Sequence, residues 1–142
     1  MTILNQRTIS PLITSSGQPL FNEIDQIAEQ GCKAVINLAM PTSPNAFPEE
    51  GFEVIERGMS YFHIPVPFEA PNEWHLQQFF TLMSLLKDEK IWVHCALNYR
   101  ASAFLYRYYR EVLKVSEYEA QAVRLPEWEP DEVWQAFMTA KT

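Results

Sequence analysis

The chain reads as an α/β protein built on a mostly parallel central sheet flanked by helices. Two observations carry that reading. Short apolar runs stand at Ala34-Val35-Ile36-Asn37-Leu38, Tyr61-Phe62-His63-Ile64 and Ile91-Trp92-Val93-His94. Stretches of helical periodicity separate them, and strand–helix–strand alternation implies parallel pairing with helices on both faces.

Taken in order, Phe21, Ile24, Ile27 and Ala28 recur at helical spacing, and Gly31 follows as a C-terminal stop. The first strand comes next, then a proline-rich loop over residues 40–48. Residues 49–57 predict a short helix with Phe52 and Ile55 inward, ended by Gly58. The second strand is stopped by Pro65 and Pro67. The clearest helix covers residues 72–86, with Leu76, Phe79, Phe80, Met83 and Leu86 as its apolar stripe. After the third strand, a helix beginning near Arg100 buries Ala101, Phe104, Leu105, Tyr108 and Val112. Its Arg107, Arg110 and Lys114 read as a solvated face. Ser116 and Glu119 form a capping box, and a last helix carries Val133, Trp134, Phe137 and Met138.

Length and composition fit one globular domain over residues 1–142, at 47% hydrophobic and 20% charged residues. No apolar run is long enough to span a membrane, and the N-terminus lacks a signal-peptide pattern, so the expectation is a cytoplasmic protein. A net charge of −7 argues against nucleic acid and anionic membranes as partners. Cys32 and Cys95 give no disulfide framework, and no Cys/His spacing resembles a metal site.

The chemically informative stretch is His94-Cys95-Ala96-Leu97-Asn98-Tyr99-Arg100. A β run ends in a cysteine, and an arginine closes a short loop where a helix begins. Backbone N–H groups at a helix start attract an oxyanion, and the same field favours a thiolate nucleophile. Arg100 adds a planar fork that fits two oxygens of a phosphate or sulfate. Ligands of such sheets sit beyond the carboxyl ends of the strands, which gathers Asn37, Glu69 and Cys95 at one edge.

These residues, with Ser16-Gly17-Gln18-Pro19 opening the first helix, Val35-Ile36-Asn37-Leu38 and Tyr61-Phe62-His63-Ile64-Pro65-Val66, resemble the dual-specificity-type tyrosine phosphatases. More narrowly, the chain is similar to a bacterial phosphatase-like family that also occurs fused to metallo-β-lactamase-like hydrolases. The resemblance implies a dual-specificity-phosphatase-like fold. It also implies a cysteine-dependent phosphatase in which Cys95 forms a cysteinyl-phosphate and Arg100 clamps the equatorial oxygens. Ala96, Leu97, Asn98, Tyr99 and Arg100 would line the anion. Glu69 is the candidate general acid, with Glu73 the second choice. His94, Asn37 and Ser102 are expected to support the loop. No cofactor is implied, and the partner would be a phosphorylated small molecule or protein.

The chain departs from the family at three places. Four residues separate Cys95 from Arg100 where cysteine phosphatases generally have five, a spacing that some members of the narrower family share; Asn98 stands where glycine is usual, and Ala101 replaces the hydroxyl residue that follows the arginine. A four-residue interval is also that of rhodanese-like sulfurtransferases. An oxyanion-binding module with little or no turnover is the remaining alternative.

Overall fold

A computed structural model describes residues 2–141. Five strands form one sheet in the order β1-β2-β5-β3-β4: β1 (Arg7–Thr8), β2 (Ile13–Ser16), β3 (Ala34–Asn37), β4 (Ser60–His63) and β5 (Ile91–His94). Only β1 runs antiparallel, to β2. The register sets Ser16, His94, Asn37 and His63 level with one another, so four strand ends open onto one edge.

Among the described residues six helices complete the fold: α1 (Glu23–Glu29), α2 (Glu50–Glu56), α3 (Glu73–Leu85), α4 (Tyr99–Arg107), α5 (Glu117–Gln121) and α6 (Glu132–Thr139). The chain after α4 continues as a π-helical turn, Tyr108–Val112. Side-chain alternation divides the core in two. Ile36 and Val93 face a cluster with Leu76, Phe79, Phe104, Trp134 and Phe137. Val35 and Trp92 face the other way, onto Ile24, Ile27 and Val54. The two central strands β3 and β5 are therefore buried on both faces, which is why they lack polar alternation.

The local signals act as expected at several ends. Asn72 accepts the N–H of His75 at 2.9 Å to start α3, and Ser116 with Glu119 closes its capping box. Gly31 ends α1 with φ +90°. No described helix is long and apolar enough to cross a membrane.

Three expectations are corrected. Residues 16–19 do not open a helix: Ser16 ends β2, and α1 starts at Glu23. α2 turns the opposite face inward, with Phe52 and Ile55 at 64% and 61% exposure, while Glu50 and Val54 are buried. Arg107 is fully buried rather than solvated. It donates to Glu73 and Glu111 and to the Phe137 carbonyl, with its guanidinium 5.0 Å from the Phe137 ring. Arg110 likewise donates to the carbonyls of Met138 and Ala140. These two arginines hold α6 against α4, because a buried guanidinium needs every donor answered.

Candidate active site

Cys95 is the first residue beyond β5. Its N–H donates to the Ser16 carbonyl at 3.3 Å, while Leu38 N–H donates to the His94 carbonyl at 2.8 Å. Both neighbouring strands thus hold the cysteine where the sheet ends, and its side chain is fully buried.

The loop that follows is anchored by its carbonyls. The Cys95 carbonyl contacts His94 Nδ1 at 3.0 Å. The Ala96 carbonyl accepts from Gln18 N–H and from Asn45 Nδ2, both at 3.0 Å. The Leu97 carbonyl accepts from Asn5 Nδ2 at 3.0 Å. In a trans peptide the following N–H points opposite to the carbonyl. Three successive anchors therefore turn the N–H groups of Ala96, Leu97 and Asn98 away from their holders. A run of amides turned to one side is the general geometry of anion-binding nests.

Two sequence choices make this loop close. A Cβ on Gly17 would lie 2.7 Å from the Ala96 carbonyl oxygen, so the approach of that chain segment demands glycine. Asn98 takes the left-handed conformation, φ +71°, just before α4 begins. Asparagine tolerates that region better than other non-glycine residues. Its Nδ2 also donates to the Asn5 carbonyl at 2.9 Å and to Ser15 Oγ at 3.1 Å.

Behind the loop lies a pair that the sequence reading missed. His94 Nε2 meets Glu50 Oε2 at 2.5 Å, and both side chains are excluded from solvent. Both ring nitrogens face acceptors, so the ring donates to both only when it carries two protons. Glu50 Oε1 accepts from Gln18 Nε2 at 2.7 Å. Through His94 and Gln18, one carboxylate thus reaches the carbonyls of Cys95 and Ala96. Tyr61, near Glu50, has its hydroxyl pushed up to about 12 by burial, with the Glu50 charge adding to the effect. A glutamate in the first turn of a helix reads from sequence as dipole complementation, and nothing local distinguishes Glu50 from Glu49.

Arg100 sits in the first turn of α4, almost fully buried. Its Nη1 donates to the Val66 carbonyl at 2.9 Å, and its guanidinium carbon lies 5.6 Å from the Phe68 ring centre. Its Nε is buried with no hydrogen-bond partner among the described residues.

Cys95 and Arg100 border one open pocket of about 370 Å3 together with Ala96, Leu97 and Tyr99. The β4–α3 connection contributes Phe68 and Glu69, and the β3–α2 loop contributes Met40, Thr42, Ser43 and Pro44. Tyr99 is stacked on Trp128 at 5.0 Å, which fixes it as a wall. Of the expected supports, His94 touches the loop directly. Asn37 is level with His94, but its side chain donates to Tyr61 Oη and accepts from Ala39 N–H, not from the loop. Ser102 Oγ is taken by the N–H of Leu125 at 2.9 Å, outside the pocket lining. Asn98 shapes the loop from behind rather than lining the pocket. Glu73 is committed to Arg107.

No protein-family model matches the chain, and no curated protein matches it either. Solved structures do. A DUF442 phosphatase-like protein from Shewanella putrefaciens CN-32 is 32% identical, with a TM-score of 0.85 over 96% of this chain and 90% of that one. Tk-PTP in its active form is 19% identical, with a TM-score of 0.78 over 94% and 93% of the two chains. PTPMT1 in complex with PI(5)P is 13% identical, with a TM-score of 0.77 over 94% and 91%. The last two likenesses are of fold alone.

Proposed function

The chain belongs to the DUF442 family of phosphatase-like proteins, and from that membership we propose a cysteine-dependent phosphatase acting through a cysteinyl-phosphate. The observation that carries this reading is the shared pocket of Cys95, Arg100 and Glu69. Arg100 spends Nη1 on Val66, and its buried Nε has no partner among the described residues. The Nε–Nη2 edge is the one that meets two oxygens of an oxyanion side by side.

In the proposed reaction, Cys95 Sγ as thiolate attacks phosphorus, and the bond from phosphorus to the ester oxygen breaks. Glu69 as the acid protonates the departing alkoxide. A water then attacks the cysteinyl-phosphate and gives its proton to Glu69. The sulfur–phosphorus bond breaks, and inorganic phosphate leaves with the thiolate restored. Arg100 and the amides of Ala96 and Leu97, which border the pocket, stabilise the negative oxygens in both steps. The substrate is a phosphate monoester. PTPMT1, a fold relative, is known with the phosphate-bearing ligand PI(5)P, which supports a phosphorylated occupant for this pocket.

The test is hydrolysis of para-nitrophenyl phosphate by wild type and Cys95→Ser across about pH 5 to 8, where catalytic acids and thiolates titrate. Loss of turnover in the variant and inhibition of wild type by orthovanadate are the expected results. Turnover that survives Cys95→Ser overturns the mechanism. Phosphate binding without turnover in wild type identifies an oxyanion-binding module. That second reading is favoured by the engagement of the Ser102 hydroxyl with Leu125.

A further inference from the structure

One face of the molecule is almost free of formal charge. β4 lies at the edge of the sheet, where among the described residues β3 is its one strand partner. Edge strands are ordinarily guarded by lysine, proline or a covering element, yet β4 reads Ser-Tyr-Phe-His. Residues 59–68 contain no Asp, Glu, Lys or Arg, and neither do residues 74–86, which make up nearly all of α3. In a chain with 20% charged residues, two such segments side by side depart from an ordinary solvated surface.

Between them runs a groove of about 580 Å3, bordered among others by Tyr61, Phe62, Trp74, Gln77, Gln78 and Leu82. Trp74 is 69% exposed and Leu85, further along the helix, 70%. The partial burial of His75 lowers its proton affinity and so favours the neutral ring.

We propose that this β4–α3 face seats a second copy of the chain, in a two-fold dimer with Trp74 of each copy in the groove of the other. Electrostatics select that occupant. Two chains of −7 each repel, and screening acts only beyond about 8 Å at physiological salt. Self-association is therefore least opposed where neither copy brings a carboxylate. A basic partner would be drawn to acidic surface, and this face offers it none. The polar side chains of the groove are amides, hydroxyls, the Trp74 indole and the His63 imidazole; the amides and hydroxyls both donate and accept and so can pair with their own image.

Sedimentation of the whole chain over a micromolar concentration range tests the proposal. Wild type is expected to rise from the 16.5 kDa chain mass towards twice that value. Trp74→Glu and Gln77→Lys, both at exposed positions, are expected to stay at the single-chain mass with unchanged circular dichroism and melting temperature. A wild type that stays at single-chain mass throughout overturns the dimer. So do well-folded variants that dimerise as wild type does. Monomeric wild type that floats with phosphatidylcholine vesicles, when Trp74→Glu does not, reassigns the face to lipid and also overturns it.

Discussion

Glu50 and His94, 44 residues apart in sequence, meet at 2.5 Å with neither side chain open to solvent. A buried pair of this kind is costly to break from one side, because the surviving polar group is left without a partner. Glu50→Ala is expected to destabilise the fold by about 3–5 kcal/mol in urea unfolding. Glu50→Gln retains an amide oxygen for one neighbour and should cost less. Turnover should fall in both, since the pair reaches the Cys95 and Ala96 carbonyls. A wild-type unfolding midpoint for Glu50→Ala would show that the pair does not hold the loop.

Arg100→Lys separates charge from shape. Lysine keeps the positive charge but has no planar fork, and no Nε edge to offer two oxygens. We expect kcat/KM for an aryl phosphate to drop by about 10²–10³, the usual loss for an oxyanion donor. Steady-state kinetics check this, and undiminished turnover would remove the fork from the mechanism.

Asn98 carries a conformational and a bonding role that two substitutions divide. Asn98→Gly keeps the left-handed turn and loses the bonds to Asn5 and Ser15, at about 1 kcal/mol each. Asn98→Ala loses the same bonds and adds about 1–2 kcal/mol of left-handed strain. Thermal melting should rank wild type above Gly and Gly above Ala. If Ala equals Gly, backbone conformation is not what selects asparagine.

Stability should decline in alkali from about pH 9. Burial pushes Cys32 from 9.0 to about 11 and Tyr61 from 10.0 to about 12 in the folded chain. Between the unfolded and folded values the native state holds protons that the unfolded chain has released. The slope of unfolding free energy with pH is therefore negative, about 1.4 kcal/mol per pH unit for each such proton. Urea unfolding at successive pH values measures it, and Cys32→Ala should flatten the segment between pH 9 and 10 that wild type shows. An equal slope in the variant would locate the effect elsewhere.

The central strands and the long helices were legible because their side chains are chosen by burial alone. Ile36, Val93, Phe79 and Phe104 announce their places by hydrophobic period. β2 did not, for its Ile-Thr-Ser-Ser carries only one apolar residue. Its hydroxyls are committed to distant partners: Ser15 to Asn98, and Ser16 to the Trp92 indole N–H. The inverted face of α2 has the same origin, since a glutamate turned inward to meet a histidine looks like a surface residue in any local window. That Cys95, Arg100 and Glu69 border one pocket was readable because the loop joining a strand to a helix fixes where they go. Glu50 and Asn5 were not, because what they do is defined only by a partner far along the chain.

The clasp between Asn5 and the cysteine loop has one more consequence. Asn5 and Asn98 are both left-handed, and each donates its side-chain amide to the other's segment. Residues just ahead are secured too: Ile3 is buried, and the Leu4 carbonyl accepts from Gly17 N–H at 2.7 Å. Residues 3–5 are thus a tether tied to the loop that follows Cys95. Tension or crowding from an affinity tag, a fusion partner or a bound protein upstream of Ile3 would be transmitted to that loop as a mechanical load.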